Sequence, residues 1–145
     1  MSEKEASRSV EDVASRLRTT YAATWVLGAF RGGVLVGTLG SYRHAELKAR
    51  HRATLWGTYV CPEERRRGIG AALLSRAIEQ LRALGDVEQI ELTVVVSADA
   101  ARTVYRAAGF ERQGLLPRAM KTGDDYFDEE ELVLWLADER SDANP

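Results

Sequence analysis

The stretch Arg65-Arg66-Arg67-Gly68-Ile69-Gly70 sets three cations against two glycines near the middle of the chain. Behind it, Ile69, Leu73, Ile78 and Leu81 recur at helical spacing, and ahead of it Pro62 ends an apolar run that reads as a strand. The loop therefore stands at a helix N-terminus. There the first amides have no intrahelical partner, and the positive end of the helix dipole lies behind them. Glycines without side chains let an anion reach the backbone. From Arg65 to Ala71 this describes a cradle for the phosphate groups of a ligand. Three arginines alone would serve equally as a solvated patch. Two other phosphate loops are disfavoured. No Lys-Ser or Lys-Thr follows Gly70, and no third glycine stands near Leu73 to complete a dinucleotide fingerprint.

One helix and one strand further on lies "AARTVYRAAGF", from Ala100 to Phe110. The pair R-x-x-G-x-G after a strand, then A-x-x-[hydrophobic]-Y-x-x-x-G-F, resembles the GNAT superfamily of acyl-CoA-dependent N-acyltransferases. Arg65, Gly68 and Gly70 match the first motif; Ala101, Val104, Tyr105, Gly109 and Phe110 match the second. The closing "GDDYFDEEELVLWL" is similar to the last hairpin of bacterial members, so the resemblance runs from about Thr24 to Leu136.

The resemblance implies an N-acetyltransferase that moves an acetyl group from acetyl-CoA, without a metal, to a primary amine of a small molecule or protein by direct attack. It implies that Arg65, Arg66, Arg67, Gly68, Ile69, Gly70 and Ala71 hold the pyrophosphate. The backbone of Tyr59 and Val60 would pair with the pantetheine arm as an added strand does, and the Val60 amide would polarise the thioester carbonyl. Tyr105 would return a proton to the leaving thiolate. A free tyrosine has a pKa of about 10 and a thiol one of about 8.5, so that transfer needs help from the site or from water. Two positions depart from the family pattern. The strand "ATLWGTYV" carries no acid where many members have a glutamate, which leaves the base open among Glu46, His51, Asp128 and Glu129. Ala98 stands where many members have an asparagine. The alternative, from another functional class, is a catalytically silent acyl-CoA-binding sensor.

The elements that must position these residues follow from pattern and punctuation. Ser9 caps a helix expected to run to Tyr21. Strands "TWVLGAF" and "VLVGTLGSY" flank the turn Arg31–Gly33, and a polar connection (43–52) leads to a strand over 53–60. A helix over 68–84 closes on Gly85, a buried strand spans 89–96, and a short helix spans 99–109. Two more strands flank the turn 122–125. The order predicts an α/β (α+β) domain, and the resemblance implies that it has the GNAT fold. It is a single mixed, mostly antiparallel sheet with helices on both faces, one domain over 1–145 with frayed ends at 1–8 and 138–145. Only about one helix precedes Thr24, which is short for the family. The wall of the acceptor site is then thin and leaves room for a homodimer.

Composition sets the remaining bounds. A net charge of −2 over 145 residues argues against a basic nucleic-acid binder. Residues 121–145 hold nine acids against two bases, so the earlier part of the chain is cationic. The run Asp124–Glu131 would either draw in a cationic acceptor or form a solvated edge. Cys61 is the sole cysteine, so no internal disulfide forms; with no base beside it in sequence, it reads as structural. No apolar run approaches the roughly 20 residues of a membrane span. The start "MSEKEASRS" lacks a signal's apolar core. The expectation is a cytoplasmic protein with no membrane partner. Trp25, Trp56 and Trp135 are assigned to core or sheet packing.

Overall fold

The computed structural model describes residues 14–15 and 24–136. Its elements are β1 (Ala14–Ser15), β2 (Trp25–Arg31), β3 (Val34–Arg43), β4 (Arg52–Val60), α1 (Ile69–Ala83), β5 (Gln89–Val95), α2 (Asp99–Ala107), β6 (Glu111–Thr122) and β7 (Asp125–Trp135). The strands form one sheet in the order β1-β2-β3-β4-β5-β7-β6. Only β4 and β5 run parallel; every other pairing is antiparallel. The mixed, mostly antiparallel sheet is as expected. The helix expected from Ser9 to Tyr21 falls outside the described residues except at Ala14–Ser15. Those two pair as a short edge strand with Gly28 and Leu27. The expected frayed ends also lie outside the described residues.

Turn chemistry explains most boundaries. Gly32 (φ 56°) and Gly33 (φ 82°) close the β2–β3 hairpin, and left-handed Gly85 ends α1. α1 buries Ile69, Leu73, Leu74, Ala77 and Leu81 along one stripe. That stripe meets β3 closely: a Cβ on Gly37 would lie 3.1 Å from Ile69 Cγ2 and 3.2 Å from Leu73 Cδ1. Leu27, Leu39, Ile90, Leu92 and Leu132 from the sheet join Tyr105 and Phe110 from the α2 region in the same buried cluster. Both described helices thus pack on one face of the sheet. At the far end, Arg43 reaches Asp86 at 2.8 Å and fixes the end of β3 to the loop after α1. This hydrogen bond holds the Asp86 carboxyl below its usual range.

The tryptophans divide. Trp25 is buried, and Trp135 donates its indole N–H to Glu111 at 3.0 Å. Trp56 is 49% exposed and lies flat over Gly40, so it packs on the sheet and not in the core.

What shapes the site is the parting of β4 and β5. They pair only from Arg52–Thr54 against Gln89–Glu91. Further along, β4 carries a bulge, where its register against β3 shifts between Thr38 and Gly40. Gly57 sits there at φ 63°, and its carbonyl accepts the Thr38 hydroxyl at 3.1 Å. A bulge bends and over-twists its strand. Here it leaves the ends of the two parallel strands apart, and a cleft lies between them.

Candidate active site

The cleft has a volume of about 560 Å³, within the range of small-ligand sites. Its floor is Leu39 and Leu74, one wall is Thr58 to Val60 of β4, and the other is Ala101, Val104 and Tyr105 of α2. Arg65, Arg66, Gly68, Ile69, Gly70 and Ala71 form one rim. The structure thus brings Tyr105 and all but one of the residues assigned to the cofactor to a single cavity. The exception is Arg67, which points toward Glu64 at 3.8 Å and is not part of the lining.

The loop is built by backbone conformation. Pro62–Glu64 make one 3-10 turn, Arg65 is extended, and Arg66 (φ 66°) and Gly68 (φ 78°) are left-handed. Left-handed residues interspersed in a turn make successive amides converge into an anion-binding concavity. It opens directly onto the unpaired first amides of α1. A Cβ on Gly70 would meet only Val60 Cγ2, at 3.8 Å, so the space above Gly70 belongs to the cleft. Arg65 turns its Nε back to the Val60 carbonyl at 3.1 Å and lines the rim. These features fit the phosphates of a CoA ester: amides for the oxygens, guanidinium groups for the charge, and no carbon in the way.

The β4 wall presents backbone. The Cys61 amide donates to the Val36 carbonyl at 2.8 Å. In an antiparallel ladder the neighbouring residue then turns both its N–H and its C=O away from the partner strand. Val60 is that neighbour, and its backbone faces the cleft. Across from it, Tyr105 is 8% exposed, packs edge-on to Phe110 at 5.9 Å, and donates its hydroxyl to Thr58 Oγ1 at 3.4 Å. That bond is at the long limit for hydroxyl pairs. The hydroxyl is fixed by neighbours but not fully taken up by them.

The candidate bases fare differently. Glu46 and His51 lie beside the start of β4, roughly 26 Å along the strand from Val60; the His51 carbonyl accepts the amides of Glu88 and Gln89. They do not belong to the cleft. Asp128 and Glu129 lie at the correct end of the sheet, opposite Val96 and Val95, but neither lines the cavity. The Asp128 carboxylate accepts the Arg118 amide at 2.8 Å. Glu64 is the one carboxylate in the lining. Arg31 holds it through Nε at 3.0 and 2.9 Å and through Nη2 at 2.8 Å. Cys61 is half-buried at the edge of the loop, and among the described residues no group of His, Cys, Asp and Glu is arranged to hold a metal.

Three features went unread in the sequence. Thr58 carried no signal. Gly57 did carry one, because an isolated glycine inside a strand pattern marks a bulge. The ion pair of Arg102 on α2 with buried Glu130 on β7 ties the helix that carries Tyr105 to the sheet. Arg102 also donates to the Val96 carbonyl at 3.0 Å.

Comparison with known proteins agrees with this geometry. Residues 2–110 match the model of the acetyltransferase (GNAT) family. Among solved structures, the acetyltransferase of GNAT family from Streptococcus pneumoniae superposes with a TM-score of 0.76 at 24% identity, covering 81% of this chain and 70% of that one. The structure of yncA from Salmonella typhimurium with its cofactor acetyl-CoA gives 0.72 at 22% identity, covering 79% and 66%. The ribosomal-protein-S18-alanine N-acetyltransferase from Escherichia coli gives 0.72 at 20% identity, covering 93% and 88%.

Proposed function

The chain belongs to the acetyltransferase (GNAT) family, and from that premise we propose that it transfers an acetyl group from acetyl-CoA to a primary amine by direct attack within the β4–β5 cleft. The observation that carries the reading is the joint geometry of the rim and the β4 wall. An amide cradle, open above Gly70, leads onto a strand whose Val60 backbone turns toward the same cavity, its carbonyl held by Arg65 Nε at 3.1 Å. An extended thioester with phosphates at one end suits that path.

In this reading the loop amides and Arg65 and Arg66 bind the pyrophosphate. The pantetheine amides pair with the backbone of Tyr59 and Val60, and the Val60 N–H stabilises the oxyanion as the carbonyl becomes tetrahedral. The amine nitrogen forms the new C–N bond, the C–S bond breaks, and Tyr105 gives the thiolate a proton. The new amide nitrogen sheds its extra proton to solvent, and solvent returns a proton to the Tyr105 oxygen. An ammonium acceptor must lose a proton before it attacks. The one carboxylate of the lining is occupied by Arg31, so this proton leaves through water. We place the reaction in the cytoplasm, because a single cysteine without a disulfide partner suits a reducing compartment. Among the described residues no helix is long and apolar enough to cross a membrane.

The same occupied carboxylate is the observation that favours a second reading, a sensor that binds the acyl-CoA without turning it over. Release of free thiol from acetyl-CoA, followed across a panel of polyamines, amino acids and peptides with free amino groups, separates the two. Turnover with any amine supports the enzyme. Tight CoA binding with no thiol release from any of them supports the sensor.

A further inference from the structure

The lining of the proposed phosphate site contains a carboxylate, Glu64, beside Arg65, Arg66 and Gly68. A negative charge there opposes the ligand unless it is cancelled. The Arg31 guanidinium, from the end of β2, meets both Glu64 oxygens, and the two side chains are only 16% and 14% exposed. Arg67 adds a longer contact at 3.8 Å. A pair so far withdrawn from water is screened weakly by salt, and removal of one partner leaves the other's charge almost undiminished.

We propose that Arg31 is a positioning residue for the anionic ligand, acting through Glu64: it masks the one carboxylate of the phosphate cleft. This rests on the assignment of the cleft to acetyl-CoA. Arg31 touches no cleft surface, so its effect on the ligand passes through the Glu64 charge. The sign of that effect differs from plain structural support. If the pair merely held the loop, loss of either partner would cost the same, and loss of both would restore nothing. If Arg31 masks charge, the arginine is needed only while the carboxylate is present.

Calorimetry with free CoA tests this on the full chain with Arg31→Met, Glu64→Gln and the double variant. Glutamine keeps an oxygen for Arg31 to donate to. Arg31→Met is expected to weaken CoA by tenfold or more, and raised salt should restore little of the loss. Glu64→Gln should stay within about threefold of wild type, and the double variant should return to that level. Arg31→Lys keeps the charge and serves as the folding control, so it should bind nearly as wild type. Equal losses in both single variants without recovery in the double would overturn the inference, as would an unaltered affinity in a folded Arg31→Met protein. A wild-type protein that fails to bind CoA defeats the functional reading itself and this inference with it.

Discussion

In the loop before α1, charge is left over; in the β6–β7 hairpin, it is used up. The loop brings Arg65, Arg66 and Arg67 together, and its one lining acid is cancelled from another strand by Arg31. The rim of the cleft stays cationic. The hairpin is as dense in charge, from Asp124 to Glu131, but its acids turn inward or sideways. Glu130 is buried between Arg102 and Arg112, and Asp128 caps the left-handed turn at Arg118. Arg118 and Lys121 lie over the Tyr126 ring at 3.8 and 5.2 Å. Two stretches that look alike as charge runs thus differ: one leaves its charge facing a cavity, the other spends most of it on its own geometry.

The sharpest way to break the comparison is to close the loop. Gly70→Val places carbon in the cleft with only Val60 Cγ2 nearby. A helical valine costs under about 1 kcal/mol, so the fold should survive. CoA affinity should drop by at least a hundredfold in calorimetry. Undiminished affinity would remove the loop from the phosphate site.

Tyr105→Phe comes next. It keeps the ring against Phe110 and removes a hydroxyl that bonds Thr58 at 3.4 Å. Stability should fall by no more than about 1 kcal/mol and CoA binding should hold. Turnover should slow by roughly 10²–10⁴-fold, the usual contribution of a positioned acid or base. An unaltered rate with chemistry shown to be limiting would reduce Tyr105 to packing.

For the hairpin, the comparison says that its buried acid is structural. Arg102→Met leaves Glu130 with only the 3.5 Å contact to Arg112. Destabilisation of about 2–4 kcal/mol is expected by urea unfolding, whereas the same test on Arg66→Gly should move stability by about 1 kcal/mol at most, since glycine suits φ 66°. A small effect of Arg102→Met would mean that the hairpin's acids are not tied into the fold as described.

Legibility in the sequence followed the range of the interactions. The loop was readable because its parts are local: a strand stop at Pro62, an amide-rich turn, two glycines and a helix. The turns at Gly32–Gly33, Gly85 and Gly123 were readable for the same reason. The masking of Glu64 by Arg31 spans 33 residues and the Arg102–Glu130 pair spans 28. No pattern within one element announces either. The cleft itself was invisible for a related reason: its opening depends on where two parallel strands stop pairing, which is a property of the sheet. The Gly57 bulge was the one local trace of it, and it stood unread inside "LWGTYV". Glu46 and His51 show the converse error, since chemical suitability chose them while topology put them at the wrong end of β4.

The smallest expected effect concerns the acids the hairpin has not used up. Asp124 and Asp125 are exposed at its tip, and Glu129 makes no ion pair among the described residues. If these draw in a cationic acceptor, their reach is that of an exposed charge: about 10 Å at 0.1 M ionic strength and about 3 Å at 1 M. Asp128→Asn with Glu129→Gln keeps an oxygen for the Arg118 amide and removes two charges without touching the buried pair. The kcat/KM for a polyamine should fall two- to fivefold at low salt and far less for a monoamine, and the difference should vanish near 1 M. Affinity for CoA should not change if that ligand is held, as proposed, at the cationic rim. Equal losses for both amines at every salt concentration would instead give Asp128 or Glu129 a direct part in the chemistry, and the two charge-dense regions would then be working on the same substrate from opposite sides of the cleft. No loss with either amine would leave the hairpin wholly structural, and selection of the acceptor would fall to the shape of the cleft between β4 and α2.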